Sequence, residues 1–176
     1  EILKPGTIRH IAGNRFSLGE PEGSESDRLK FISDILKKAG FRAPIQKNIR
    51  DEIWLKLIGN LSFNPISALT GATLEQICND QGTEAIVRAM MTEAKIIAEE
   101  LGAKINMSIE KRIDGARKVG AHKTSMLQDI EAGKPIEIDS IIIAVKELGE
   151  LTCSPTPYID TILNLTLQKA KLIGCL

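Results

Sequence analysis

The chain has 176 residues, of which 43% are apolar and 26% charged, with 23 basic and 23 acidic side chains and a net charge of zero. That composition supports a packed core. It argues against a basic nucleic-acid surface or an anionic-membrane surface. No apolar run reaches the roughly 18 residues that a membrane-spanning helix needs, so no span is expected.

In chain order, Thr7–Ile11 and Arg15–Leu18 are short extended runs around Gly13-Asn14, a pair that signals a hairpin. Arg28–Lys38 has helical periodicity and stops before Gly40, and Phe41–Ile45 reads as a further strand. About three short strands and a helix therefore occupy residues 1–47, in the manner of the tail of an α/β domain. From residue 48 to 176 the pattern is helical throughout, and Asn48 with Asp51 predicts the N-cap of the first helix. The expected fold class is mainly α: an all-helical bundle domain preceded by a small α/β remnant.

Within Trp54–Pro65, Lys56, Asn60 and Asn64 recur at spacings of four. On a helix they share one face, drifting about 40° per step over roughly 12 Å. Their neighbours Leu57, Ile58, Leu61 and Phe63 are apolar. Buried polar groups need partners, and one amine with two amides suits a ligand bearing a carbonyl, hydroxyls or a carboxylate. The alternative is a solvated lysine and an Asn64-Pro65 pair that simply ends the helix.

Glu84–Leu101 places Ile86, Met90, Ile97 and Leu101 near one face, with Gly102 closing the helix. Met90 and Met91 read as core filler. Lys111-Arg112 and Arg117-Lys118 read as a solvated helix face. Ser125-Met126-Leu127-Gln128 has the capping-box pattern, so Ser125 is expected to start a helix. Such a start either caps itself or binds a carboxylate. Gly133–Pro135 marks a turn, after which Glu137 opens a segment leading to Asp139. Pro155–Leu172 supplies the last helix. Cys78, Cys153 and Cys175 are odd in number and scattered, with no C-x-x-C, and His10 and His122 lack ligand spacing, so no metal site is expected and the thiols are expected to stay reduced, in a cytoplasmic protein.

Three segments in this order, W-x-K-x-x-x-N-x-x-x-N-P at Trp54–Pro65, S-M-x-x-D at Ser125–Asp129 and G-x-x-x-E-I-D at Gly133–Asp139, closely resemble the ketopantoate reductase (2-dehydropantoate 2-reductase) family. Asn64–Thr73 and Pro155-Thr-Pro157 are also typical, and the resemblance runs from Lys4-Pro-Gly6 to the final helix. The resemblance implies a helical C-terminal domain following the end of a Rossmann-type domain, and a reductase using NADPH on a small 2-keto acid. It implies Lys56 as the general acid and Asn60 and Asn64 as substrate-holding amides. It implies Ser125, Met126, Leu127 and Gln128 as the carboxylate-binding segment, Glu137 beside the cofactor, and possible homodimerisation through the helical domain. Two departures bear on the substrate: the family's third asparagine falls near Thr73 or Leu74, and Ile136 and Ser140–Ile143 replace its usual threonine and Tyr-Ile-Asn-Gly run.

The family's G-x-G-x-x-G turn is missing: Gly13 and Gly19 are too far apart, and Gly19-Glu-Pro21 would offer an anion and a missing N–H to a pyrophosphate. The chain also begins at Glu1 rather than Met. The expectation is the C-terminal part of a larger enzyme, cut inside its nucleotide-binding domain and inactive alone. The alternatives are a helical dimerisation or interaction module, or a reductase of a different small 2-keto acid. A G-x-G-x-x-G about one hundred residues upstream would discriminate the enzyme from the module.

Overall fold

The structure is a computed structural model that describes residues 2–10 and 13–176. The chain forms two compact units, Glu1–Glu52 and Ile53–Leu176, dividing inside the first turn of a long helix.

In the first unit, β1 (Ile2–Lys4) pairs antiparallel with β2 (Thr7–Ile8). The hairpin turn is therefore Pro5-Gly6, with Gly6 at φ 75°, and not Gly13-Asn14 as the sequence suggests. Pro at the first and Gly at the second central position suit a turn that needs a positive φ. Residue 11, the last of the expected first run, lies outside the described residues. The run at 15–18 instead pairs in parallel with 42–45, through Phe16 N–H to Arg42 O (2.8 Å), Arg42 N–H to Asn14 O (2.7 Å) and Leu18 N–H to Pro44 O (3.0 Å). Parallel pairing requires a crossover. Here it is α1 (Asp27–Lys38), capped by Ser26, whose hydroxyl accepts from Leu29 N–H at 3.1 Å.

Glu20 organises that cap. Its carboxylate accepts both arms of the Arg28 guanidinium, from Nε at 2.9 Å and Nη2 at 2.6 Å, and the Ser26 hydroxyl as well. These bonds favour the charged form, Arg28 most strongly and Ser26 next, and hold its pKa down at about 2 against an ordinary 4.5. A depressed carboxyl pKa stabilises the fold fully above the ordinary value and progressively less as pH falls toward the folded one.

The second unit is helical: α2 (Ile49–Thr70), α3 (Leu74–Asn79), α4 (Gln81–Glu100), α5 (Ile109–Val119), α6 (Ser125–Glu131), α7 (Ala144–Leu151) and α8 (Pro157–Ile173). Asn48 caps α2, its Oδ1 accepting from Arg50 N–H, and the acidic Asp51 and Glu52 occupy the first turn. The stop at Asn64-Pro65 that the alternative reading offers does not occur, because α2 runs through Pro65 to Thr70. Proline removes a donor for the preceding turn, a loss tolerated because Leu61–Ala68 are all buried. At the end of α2, Lys169 of α8 donates to the carbonyls of Ala68 and Leu69.

α4 is the central strut, packing on α3, α5, α7 and α8. Val87, Met90, Met91, Ala94, Ile97 and Ala98 are fully buried along it, so the two methionines are core, as their pattern predicts. Leu101, expected on that face, is largely exposed. Near its middle α4 carries Glu93, 9% exposed. Thr156 gives α8 no side-chain cap, and the Glu93 carboxyl supplies one from another helix, accepting from Tyr158 N–H at 2.9 Å and Ile159 N–H at 3.0 Å. Among the described residues no helix is long and apolar enough to cross a membrane.

Glu93→Ala leaves two helix-start N–H groups without an acceptor and should cost about 1–3 kcal/mol in urea unfolding, with Glu93→Gln between it and the parent. The first unit should show acid sensitivity from Glu20: amide-exchange protection at Leu29 should fall as pH drops from about 4.5 toward about 2, and Glu20→Gln should remove that pH dependence.

Candidate active site

The polar stripe on α2 descends from solvent into the core. Lys56 is exposed, Asn60 half-buried and Asn64 buried, at 5% exposure. The descent follows from the helix, whose first turns lie at the surface and whose later turns from Leu61 are enclosed. Lys56 makes no ion pair among the described residues. The Asn64 Nδ2 is buried without a hydrogen-bond partner.

Asn60 and Asn64 open onto a cavity of about 460 Å³. From α2 it is also lined by Gly59 and Phe63, and from α5 by Arg112, Gly115, Ala116 and Val119. Leu74, His122, Thr124 and Ser125 complete the wall. Lys56 is not in the lining; it sits one helical turn, about 6 Å, along the axis from Asn60. Leu74, at the position where the resemblance anticipates a third asparagine, presents an apolar side chain to the cavity, while Thr73 is occupied in capping α3.

The α6 segment differs from its sequence reading. Thr124, not Ser125, is the N-cap: its hydroxyl accepts from Leu127 N–H at 3.4 Å, and Ser125 is the first helical residue. That leaves the Ser125 hydroxyl free of capping and places it on the cavity wall. Met126 and Leu127 are buried, at 2% and 4% exposure, so their side chains serve packing. Gln128 turns back to donate to the Lys123 carbonyl at 2.8 Å. Of the four residues, only Ser125 meets the cavity. Glu137 lies elsewhere, exposed between buried Ile136 and Ile138, which fix the backbone and hold it outward. A π-helical turn, Asp139–Ile143, follows and leads into α7. Such turns interrupt the regular ladder and recur at functional sites.

Sequence reasoning missed Arg112. It reads as part of a solvated basic face, yet its Nε is buried with no partner, and burial pulls its guanidinium below the ordinary arginine pKa. It packs on Gly59: a Cβ there would stand 2.1 Å from Nη2 and 2.7 Å from Nε. A glycine inside a buried apolar helix is the signal that points to it. Arg117 is also not simply solvated, since it pairs with Asp114 and with Glu84 at 3.0 Å. A larger hollow of about 810 Å³ borders Cys78, Glu84, Arg88 and Arg117, but its charges already satisfy one another, Arg88 with Glu84 and Glu110 at 2.8 Å each. The smaller cavity keeps its donors unpaired, and so it is the candidate site. Among the described residues no cluster of His, Cys, Asp or Glu could hold a metal ion.

A half-buried cation, two amides and a hydroxyl around one cavity are the donor set of a site for a small oxygen-rich anion. Residues 48–170 match the family model for the C-terminal region of ketopantoate reductase (PanE/ApbA), and the chain belongs to the ketopantoate reductase family. It is 54% identical over 175 residues to a 2-dehydropantoate 2-reductase of Mesorhizobium japonicum, covering 99% of this chain and 54% of that one. It is 28% identical to the enzyme of the same name from Archaeoglobus fulgidus, over 84% of this chain and 50% of the relative. The solved structure of 2-dehydropantoate 2-reductase from Methylococcus capsulatus superposes with a TM-score of 0.90 at 32% identity, covering 98% of this chain and 60% of that one. The chain thus spans about half the length of the curated relatives it matches. A D-mandelate dehydrogenase in complex with NADH shares the fold at a TM-score of 0.87 and 20% identity.

The Gly59–Arg112 contact predicts a reversal of sign. Gly59→Ala should destabilise the parent, whereas in an Arg112→Ala background the same change should stabilise by up to about 1 kcal/mol, the ordinary helix preference for alanine. A double-mutant cycle of urea midpoints checks it.

Proposed function

We propose that this chain is the substrate-binding and catalytic part of an NADPH-dependent 2-dehydropantoate 2-reductase, reducing ketopantoate to pantoate for coenzyme A precursor synthesis. The observation that carries the reading is the convergence of Asn60, Asn64 and Ser125 on one cavity, with Lys56 on the same face of α2 one turn away. Asn60 and Asn64 hold the substrate through their amides, and Ser125 adds a hydroxyl. The hydride for the keto carbon is the chemistry a bound nicotinamide coenzyme supplies. Negative charge develops on the carbonyl oxygen, and Lys56 donates the proton that completes the alcohol. Being exposed and unpaired, its flexible amine is able to swing to that oxygen. Glu137, exposed just ahead of the π-helical turn, would stand beside such a coenzyme, as the family resemblance implies; the pyrophosphate-binding G-x-G-x-x-G turn has no counterpart in this sequence.

A second reading, a reductase of a different small 2-keto acid, draws on Leu74. An apolar side chain facing the cavity favours a bulkier apolar substituent on the keto acid than an asparagine would.

In the full-length protein, Lys56→Ala should lower kcat by about 10²–10⁴-fold, as loss of a proton donor acting in the transition state does, while Asn60→Ala and Asn64→Ala should act more on KM. A kcat for Lys56→Ala within about threefold of the parent would remove the lysine from this role. The ratio of kcat/KM for ketopantoate to that for apolar 2-keto acids decides between the two readings.

A further inference from the structure

We infer that Arg112 is the carboxylate receptor of this cavity, a charged fork that seats the acid end of the substrate beneath Asn64. The inference rests on the reading above that the cavity takes a 2-keto acid.

Three buried side-chain nitrogen or oxygen atoms among the described residues have no hydrogen-bond partner, and two of them, Asn64 Nδ2 and Arg112 Nε, belong to residues lining this one cavity. Both are donors. Two unpaired donors on residues that line one hollow suit an acceptor with no hydrogens of its own, and a carboxylate is the simplest such group. Arg112 is half-buried, and a partly desolvated guanidinium gains from an anionic partner. Among the described residues no acidic side chain lines the cavity. The two acids nearest Arg112 on α5 are engaged elsewhere, Glu110 with Arg88 and Asp114 with Arg117. Arg88 and Arg117 are thus neutralised in place, and Arg112 is not.

The setting strengthens an incoming charge pair. Phe63, Leu74 and Ala116 give the cavity part of its wall as apolar surface, beside which charges interact more strongly than in open water. Gly59 lets the guanidinium lie on the α2 backbone, at the cost of a glycine inside a helix. The position also suits the proposed chemistry. A 2-keto acid carries its carboxylate on the carbon next to the keto group, so receptor and proton donor must be close. Gly59, on which the guanidinium rests, is three residues and about 4.5 Å of helical rise from Lys56. Ser125 then contributes a neutral hydrogen bond, and the charge recognition belongs to α5.

The test uses the full-length protein with 3-methyl-2-oxobutanoate as the probe and its carboxamide as the neutral control. The acid should move the ¹⁵N signal of the Arg112 Nε–H, and the amide should not. Arg112→Met should weaken binding of the acid by about 10–100-fold and of the amide by less than about threefold, with Arg112→Lys, which keeps the charge and loses the fork, in between. An Nε–H signal that ignores the acid overturns the inference. So does equal weakening for acid and amide, which would make Arg112 a wall of the cavity only. Should Arg112→Met fail to melt cooperatively, Arg112→Lys and the Nε–H signal decide. Acid binding at Arg112 in a protein that reduces no 2-keto acid would overturn the reductase reading and leave the receptor standing. Turnover of 2-keto acids with Arg112 silent would do the reverse.

Discussion

At residue 59 the α2 backbone has no side chain, and the guanidinium of Arg112 occupies the space a methyl group would need. The guanidinium, reaching across from α5, lies directly on the α2 backbone. A side chain at 59 would displace the guanidinium from this seat, and a shorter one at 112 would leave it empty. The contact also places a positive charge in a cavity that no acidic side chain among the described residues lines. The same helix that offers the glycine seat brings Asn60 and Asn64 to that cavity.

The rest of the second unit keeps that helix in place. α2 is apolar on nearly every side and crosses the core despite Pro65, so its position depends on being enclosed rather than on one amphipathic face. α4 forms the opposite support through fully buried Val87, Met90, Met91, Ala94, Ile97 and Ala98. Lys169 closes the far end of α2 from α8, and Glu93 of α4 in turn caps α8. The C-terminal end of α2 and the N-terminal end of α8 are thus each served by a charged side chain from another helix. Orphan backbone groups are thereby satisfied inside the unit.

Much of this was legible in the sequence, and the misses have physical reasons. Helix existence followed from periodicity, and Asn48 and Gly40 marked their boundaries because capping is local. The cap of α6 slipped by one residue because Thr124 and Ser125 are nearly equivalent caps, and burial of Thr124 decided between them. The hairpin was displaced because Gly13-Asn14 and Pro5-Gly6 both carry turn chemistry, while the true partner of residues 15–18 lies across α1, beyond any local pattern. Pro65 did not end its helix because tertiary enclosure outweighed a local penalty. In the site, Asn60, Asn64 and Ser125 were visible from spacing and family pattern. Arg112 was not, since a basic pair on a polar helix reads as solvated until the glycine opposite it is seen in three dimensions.

The unpaired donors bear on why the site keeps this form. A protein gains stability by pairing or removing buried polar atoms, so Asn64 Nδ2 and Arg112 Nε, left unpaired on two residues of one cavity, are a standing cost. Elsewhere the same structure avoids that cost: Arg88, Arg117, Glu93 and Lys169 all find partners. Inefficient packing would scatter orphan atoms through the core, whereas here two of the three gather at one cavity. Donors held ready in an apolar setting need little rearrangement when an anion enters, and the binding energy otherwise lost to reorganisation is kept. In the proposed division of work, the exposed Lys56 would carry the proton and the half-buried Arg112, seated on Gly59, would hold the substrate's charge.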